Sequence, residues 1–283
     1  YLAPHDCLPG LSYLGTYEAF PRVLERISPD EVVIALEADE YRYLPNIIMN
    51  SEKNGVKVSL IPFYNKYMPS HPVFDEVGGV SLVNIRHIPL DNIGNAFLKR
   101  TMDIVGSLLL IVLTSPLMLF AAVGVRLSSP GPILFRQERV GLNKKPFYMY
   151  KFRSMRVNDK QTTGWSTNSD PRKTRFGAFI RKFSIDELPQ FFNVLKGDMS
   201  LVGPRPELPY FVNQFKETVP LYMVKHQVRP GITGWAQVNG FRGDTSIQGR
   251  IEHDLYYIEN WTLLFDIKIL FLTVFHFSNS EKM

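Results

Sequence analysis

Two adjacent carboxylates stand out as chemistry. Asp186 and Glu187 lie in the run RKFSIDELPQ, residues 181–190. Ser184 has the spacing of a helix N-cap, with Glu187 three positions on to complete a capping box. That accounts for Glu187 and leaves Asp186 unexplained. A carboxylate at a helix N-terminus, close to Arg181 and Lys182, has its charged form stabilised. Asp186 is therefore expected to be ionised and fit to act as a nucleophile or a metal ligand.

Anion-binding chemistry surrounds this pair. Residues 128–156 alternate apolar side chains with Arg136, Arg139, Lys151, Arg153 and Arg156 at about strand spacing. A strand-loop-strand edge presenting these groups would hold phosphate, since arginine can offer two donors at once. Two Gly- and Pro-rich segments follow. Residues 193–207 (NVLKGDMSLVGPRPE) carry Lys196, Asp198 and Arg205, and residues 228–244 (VRPGITGWAQVNGFRGD) carry Arg229, Gln237, Asn239 and Arg242. Glycine and proline fix backbone shapes that can approach a phosphate closely.

Taken together and in this order, the runs LKRTMDIVGSLLLIVLTSPLMLF, GPILFRQERVGLNKKPFYMYKFRSM, FSIDELPQFFNVLKGDMSLVGPRPE, VRPGITGWAQVNG and DLYYIENWTLLFDIKILFLTVF make residues 98–276 resemble the bacterial sugar transferase family. These are monotopic polyprenol-phosphate phosphoglycosyl transferases. The resemblance implies transfer of a sugar-1-phosphate from a UDP-sugar donor to a polyprenyl phosphate, usually undecaprenyl phosphate, with release of UMP. It implies Asp186 as nucleophile, forming an aspartyl-phosphosugar intermediate, and Glu187 as its partner, with Mg2+ held by Asp186 and Glu187. Arg139, Lys151, Arg153, Arg181, Arg205, Arg229, Arg242, Gln237 and Asn239 become the expected substrate- and phosphate-binding residues. The segment GFRGDTSIQGRIEHDLYYIENW resembles members that transfer glucose-1-phosphate or galactose-1-phosphate in exopolysaccharide, capsule or O-antigen synthesis. The alternative is an N-acetylated or diamino sugar.

The elements that must position this chemistry differ along the chain. The mean hydropathy of −0.07 and net charge of +5 are averages over unlike parts. Residues 1–98 hold 7 basic and 12 acidic residues, while the remainder holds 25 basic and 15 acidic ones. The basic excess therefore belongs to the later part, which should meet something anionic. A single cysteine, Cys7, excludes an internal disulfide and a Cys-based redox or zinc site, and favours a reducing compartment.

Apolar spacing predicts strands at 11–16, 31–36 and 56–62 and helices at 17–27 and 38–53. That order is α/β, a parallel sheet in a partial Rossmann-like module over 1–67. The chain opens on Tyr1, and this module is expected to be incomplete at its N-terminus. It looks like the cytoplasmic module of larger family members, whose N-terminal transmembrane helices are expected to be lacking here. Residues 68–97 read as a Pro- and Gly-punctuated connector, and 98–283 as a mostly α catalytic domain.

From Ile104 to Val125 there are 22 residues without a charge, long enough to cross a bilayer core at about 1.5 Å per residue. Ser115 and Pro116 fall in the middle, where proline predicts a break. Lys99 and Arg100 precede the stretch, and Arg126, Arg136 and Arg139 follow it. Positive charge on both flanks favours a re-entrant helix-break-helix, about 101–127, over a spanning helix or a core helix. Residues 261–277 read as an interfacial helix.

The expected setting is the cytoplasmic face of the bacterial inner membrane, with a homodimer as a further expectation and no nucleic-acid partner. The basic segments alone would also suit a nucleic-acid-binding protein, which the apolar stretch argues against. A non-catalytic membrane scaffold is disfavoured by the intact Asp186–Glu187 pair. A direct attack of acceptor on donor is the mechanistic rival.

Overall fold

The computed structural model describes residues 1–5, 9–64, 73–84, 86–156, 173–241, 243 and 245–279. Cys7 and Arg242 lie outside the described residues. The chain divides into two units, Tyr1–His87 and Ile88–Met283.

In the first unit, Pro21 opens helix α1 (Phe20–Ile27), where a missing N–H costs nothing. Strand β1 (Glu31–Ile34), helix α2 (Leu44–Lys53) and strand β2 (Lys57–Leu60) follow. β1 and β2 pair in parallel, Glu31 opposite Lys57. Phe20, Leu24, Ile34, Leu36 and Ile47 form the core beneath them. The strand expected at 11–16 is not formed. Those residues make single backbone bonds to the chain start, Leu14 N to the Tyr1 carbonyl and Ala3 N to the Gly15 carbonyl. Gly15 sits at φ +124, which breaks any ladder. The α/β order holds with two strands.

The expected connector contains a hairpin, β3 (Val73–Val77) and β4 (Val80–Asn84), paired antiparallel. Gly78 and Gly79, at φ 61 and 82, supply the two left-handed residues that a tight hairpin turn requires. The Gly-Gly between two β-prone runs was the signal, read instead as linker composition.

The second unit starts with helix α3 (Ile93–Ser128), whose N-terminus is capped by Asn92 Oδ1 accepting from the Gly94 and Asn95 amides. The break expected at Ser115 and Pro116 does not occur in the helical hydrogen bonding. Pro116 cannot donate to the Val112 carbonyl four residues back. The Ser115 hydroxyl donates to that carbonyl instead, at 2.8 Å, so α3 continues through the proline. By length and composition α3 is apolar enough to cross a membrane, and only 17% of its most apolar window is buried.

β5 (Leu134–Val140) and β6 (Pro146–Phe152) form an antiparallel hairpin. Helix α4 (Arg175–Lys182), capped by Thr174, leads through a single 3-10 turn, Ile185–Glu187, into α5 (Gln190–Lys196). β7 (Ser200–Val202) and β8 (Gly231–Thr233) pair in parallel. Helices α6 (Pro209–Thr218), α7 (Trp235–Val238), α8 (Ile247–Glu259) and α9 (Leu263–Asn279) complete the unit. One core gathers Phe147, Met149, Val194, Leu201, Tyr257 and Ile269.

Two residues expected on the basic flank turn inward. Lys99 Nζ donates to Asp266 Oδ2 at 2.6 Å and to the Val202 carbonyl at 3.0 Å. Arg100 donates to the Val194 and Leu195 carbonyls. These residues latch α3 to the rest of its own unit; they are not a free basic flank. Asp266, fully buried, also accepts from Tyr257 and Trp261, so one face of the first turn of α9 is core. Its exposed apolar face begins with Leu264 and Ile267.

Candidate active site

The pattern of β6 brings the first cation to the carboxylates. Phe147 and Met149 are buried in the core, and strand period 2 puts Lys151 on that same face. Arg139 joins it, because it stands opposite Phe147 in the β5–β6 register. Lys151 Nζ donates to Glu187 Oε1 at 2.7 Å. Arg205 Nη2 reaches the same oxygen at 3.6 Å.

The capping box expected at Ser184 is not made. Ser184 takes a left-handed conformation, φ 51, with no side-chain cap. It turns the chain sharply out of α4, so that Asp186 and Glu187 occupy a 3-10 turn set before α5, not the first turn of a helix. Asp186 is consequently buried. Burial, then the adjacent Glu187, push its carboxyl up to about 6, against the pull of Lys151 and Arg181. The expectation of a carboxylate held low by its surroundings is thus corrected: desolvation outweighs the nearby cations. Above pH 6 the group is ionised, yet more basic than an ordinary aspartate and so a better nucleophile.

Arg139 sits behind this pair. Its guanidinium donates to the Pro206 carbonyl at 3.2 Å and to Gln137 at 2.8 Å, and lies 4.0 Å from Glu207. Burial and the neighbouring Arg205 lower it to about 10. Glu207 is itself held by Arg250 at 2.8 Å. Sequence pattern alone singles out neither Glu207, Arg250 nor Asn193. Fully buried, the Asn193 side chain accepts from the Tyr150 amide at 3.0 Å and donates to the Tyr148 carbonyl at 2.8 Å. It behaves as an extra rung on β6, fastening α5 to the strand that carries Lys151.

Asp186, Glu187, Lys151, Arg139, Arg181 and Arg205 are therefore brought together. Four other expected residues are elsewhere or otherwise occupied. Arg153 is buried, donating to the Ser129 and Pro130 carbonyls at 2.6 and 3.0 Å. It fastens the turn after α3. Arg229 donates to the Gly197 carbonyl, at the end of α5 remote from the carboxylates. Gln237 is buried and donates to the Ile232 carbonyl, and Asn239 donates to Trp235 within α7. The glycines of the two Gly- and Pro-rich segments serve each other. A Cβ on Gly203 would meet the Arg229 carbonyl at 2.5 Å, and one on Gly231 would strike the Gly203 amide. They allow β7 and β8 to approach, where a phosphate cradle was expected.

The two carboxylates also offer hard oxygen donors. Glu187 raises the proton affinity of Asp186 by repulsion, the strain that a bound divalent cation relieves. No cluster of three or more potential ligands exists among the described residues. The pair suits Mg2+, which takes one or two carboxylates and completes its shell with water and substrate phosphates.

Residues 94–280 match the profile of the bacterial sugar transferase family. The chain is 44% identical over 250 residues to the UDP-glucose:undecaprenyl-phosphate glucose-1-phosphate transferase of Escherichia coli K12, covering 86% of this chain and 53% of that protein. It is 41% identical over 280 residues to the protein of the same name from Xanthomonas campestris pv. campestris, covering 96% of this chain and 58% of that one. It is 50% identical over 202 residues to a UDP-N-acetylgalactosamine-undecaprenyl-phosphate N-acetylgalactosaminephosphotransferase of Aeromonas hydrophila, covering 68% and 48%. The chain spans about half the length of these relatives. The match covers α3, the β5–β6 hairpin, the Asp186–Glu187 turn and every cation that approaches it, and the chain belongs to the bacterial sugar transferase family.

Proposed function

We propose that this protein transfers a sugar-1-phosphate from a UDP-sugar to undecaprenyl phosphate and releases UMP. The observation that carries this reading is the buried Asp186 beside Glu187, faced by Lys151, Arg181 and Arg205, in a chain similar to enzymes named for that reaction. The Asp186 carboxylate attacks the sugar-linked phosphorus. The bond from that phosphorus to the UMP oxygen breaks, and UMP leaves with the electron pair. An undecaprenyl phosphate oxygen then attacks the same phosphorus, and the aspartyl oxygen departs to restore the carboxylate.

Every participant is anionic, so the site must offset repulsion. Lys151 and Arg205 hold Glu187 and present positive charge beside the reacting phosphorus. Arg181 opposes the rise of the Asp186 pKa and keeps a share of that carboxylate ionised near neutrality. Arg139 supports the cationic wall from behind. Mg2+, held by Asp186 and Glu187, would neutralise phosphate charge in transfer. Glucose-1-phosphate is the favoured cargo, galactose-1-phosphate a variant of it, and the Aeromonas relative makes an N-acetylated sugar the alternative.

The reaction belongs at the cytoplasmic face of the inner membrane, opening exopolysaccharide, capsule or O-antigen synthesis. Both halves of α3 pack on one unit: Asp103 accepts from Ser200 and Leu201, and Ala121 and Val125 join Ile180 and Ile185 in a core. Between them Val112, Leu113 and Leu117 stay exposed. This supports a re-entrant placement in which α3 bends at Ser115–Pro116 without losing its helical hydrogen bonding, because a straight spanning helix would carry one half away from the unit it packs on. A panel of UDP-sugars scored for UMP release, with and without undecaprenyl phosphate, tests reaction and sugar together. No UMP from any donor would overturn the proposal.

A further inference from the structure

α4 is amphipathic in an unusual sense. Gly177 and Ile180 face the core, while Phe179 and Phe183 are about half exposed. With Phe176 they stand at helical spacing on one side. Phe120 of α3 extends the series. The ring centroids of Phe120 and Phe176 are 5.8 Å apart, those of Phe176 and Phe179 are 6.1 Å apart, and those of Phe179 and Phe183 are 5.2 Å apart. The seat for Phe176 is built into α3: a Cβ on Gly124 would strike its ring. The ladder thus starts on the exposed apolar face of α3 and ends three residues before Asp186.

Charge is graded along the same path. Lys182 Nζ lies 5.6 Å over the Phe183 ring, and the Arg181 charge reaches Asp186. The Phe120 end lies on the exposed apolar face of α3, and the Phe183 end is cationic, beside Asp186. An amphiphile with a hydrocarbon tail and an anionic head matches this order in that direction alone. We infer that the Phe120–Phe176–Phe179–Phe183 ladder is the track for the hydrocarbon chain of the phosphorylated acceptor, delivering its phosphate to Asp186. This rests on the proposed function. A surface that merely dipped into bulk lipid would need neither the direction nor the end point.

The ping-pong sequence separates the two ideas. Phe179→Ser with Phe183→Ser is compared with the wild-type chain and with Phe179→Leu and Phe183→Leu, in nanodiscs of phosphatidylethanolamine and phosphatidylglycerol. Three quantities are measured: the UMP burst with UDP-glucose and no acceptor, the KM for undecaprenyl phosphate, and the preference for it over a short-chain prenyl phosphate. The serine pair should raise the acceptor KM roughly tenfold or more, the loss expected when apolar contact area is removed. It should erase the long-chain preference and leave the UMP burst in place. The leucine variants, apolar and gentle on folding, should keep most of the preference. An unchanged acceptor KM in the serine pair overturns the inference. So does a loss of long- and short-chain turnover in equal proportion, accompanied by release from empty vesicles, since that is membrane docking alone. Absence of an acceptor-free UMP burst in the wild-type chain would instead sink the aspartyl-phosphosugar intermediate, and absence of UMP release with undecaprenyl phosphate present would sink the underlying reaction.

Discussion

Lys151 Nζ and Glu187 Oε1 lie 2.7 Å apart, a charge-assisted contact between a strand and the turn that bears Asp186. With the cation removed, Glu187 repels both Asp186 and an incoming diphosphate. Lys151→Met is expected to slow UMP release by about 10²- to 10³-fold, the loss typical when one preorganised electrostatic group is deleted. Single-turnover UMP release on a variant with unchanged circular dichroism measures it. A rate within threefold of wild type would remove Lys151 from the mechanism.

The contact depends on Asn193, which ties α5 to β6 at Tyr148 and Tyr150. Asn193→Ala should lower kcat about tenfold or more and leave the KM for the UDP-sugar nearly constant. In a Lys151→Met background the same substitution should add little, because residues acting through one contact are not additive. Equal losses in both backgrounds would show that Asn193 is a general support and not a positioner of Lys151.

Asp186 carries a stability cost. Its carboxyl has an ordinary value of 3.8 and is raised to about 6 in the folded protein. Between those values the folded state binds more proton than the unfolded one, so stability falls as pH rises from about 4 to 6 and stays lower above that. Asp186→Asn removes the penalty. Its denaturation midpoint should exceed wild type at pH 7.5, by an amount equivalent to about 1–3 kcal/mol, and converge with it below pH 4. UMP release should vanish in the same variant. A variant that is less stable at pH 7.5 would contradict the burial argument.

Much of this site was legible in residue order. The adjacent carboxylates, the period-2 placement of Lys151 and Arg139, and the strand-helix-strand of the first unit all follow from local pattern. What escaped depends on distant partners. Lys99 and Arg100 read as lipid-facing because nothing local shows Asp266 or the α5 carbonyls awaiting them. Ser184 has the spacing of a cap, but it takes a left-handed backbone between Ile180 and Ile185, which both pack against Ala121 and Val125 of α3. Pro116 reads as a break unless the Ser115 hydroxyl is counted as the donor that replaces its missing amide. Asn193 is invisible in sequence, since its bonding partners are backbone atoms of another element.

Arg153 and Arg205 make opposite use of the same side chain, and the difference is measurable. Arg153 is buried, with its guanidinium on the Ser129 and Pro130 carbonyls. Removing it leaves the buried Ser129 carbonyl without its donor, a loss of about 1–3 kcal/mol. Arg205 keeps 35% of its side chain exposed and leans on Glu187, so under the proposed function its removal is expected to be mild for folding and severe for phosphate binding. Arg153→Ala should therefore lower the denaturation midpoint and change the donor KM by less than about twofold once folded, because its guanidinium is occupied by the Ser129 and Pro130 carbonyls. Arg205→Ala should shift the midpoint little and cut kcat/KM for the UDP-sugar by about a hundredfold. If the two effects were exchanged, Arg153 would return to the phosphate site as the sequence first suggested, and Arg205 would become the structural residue.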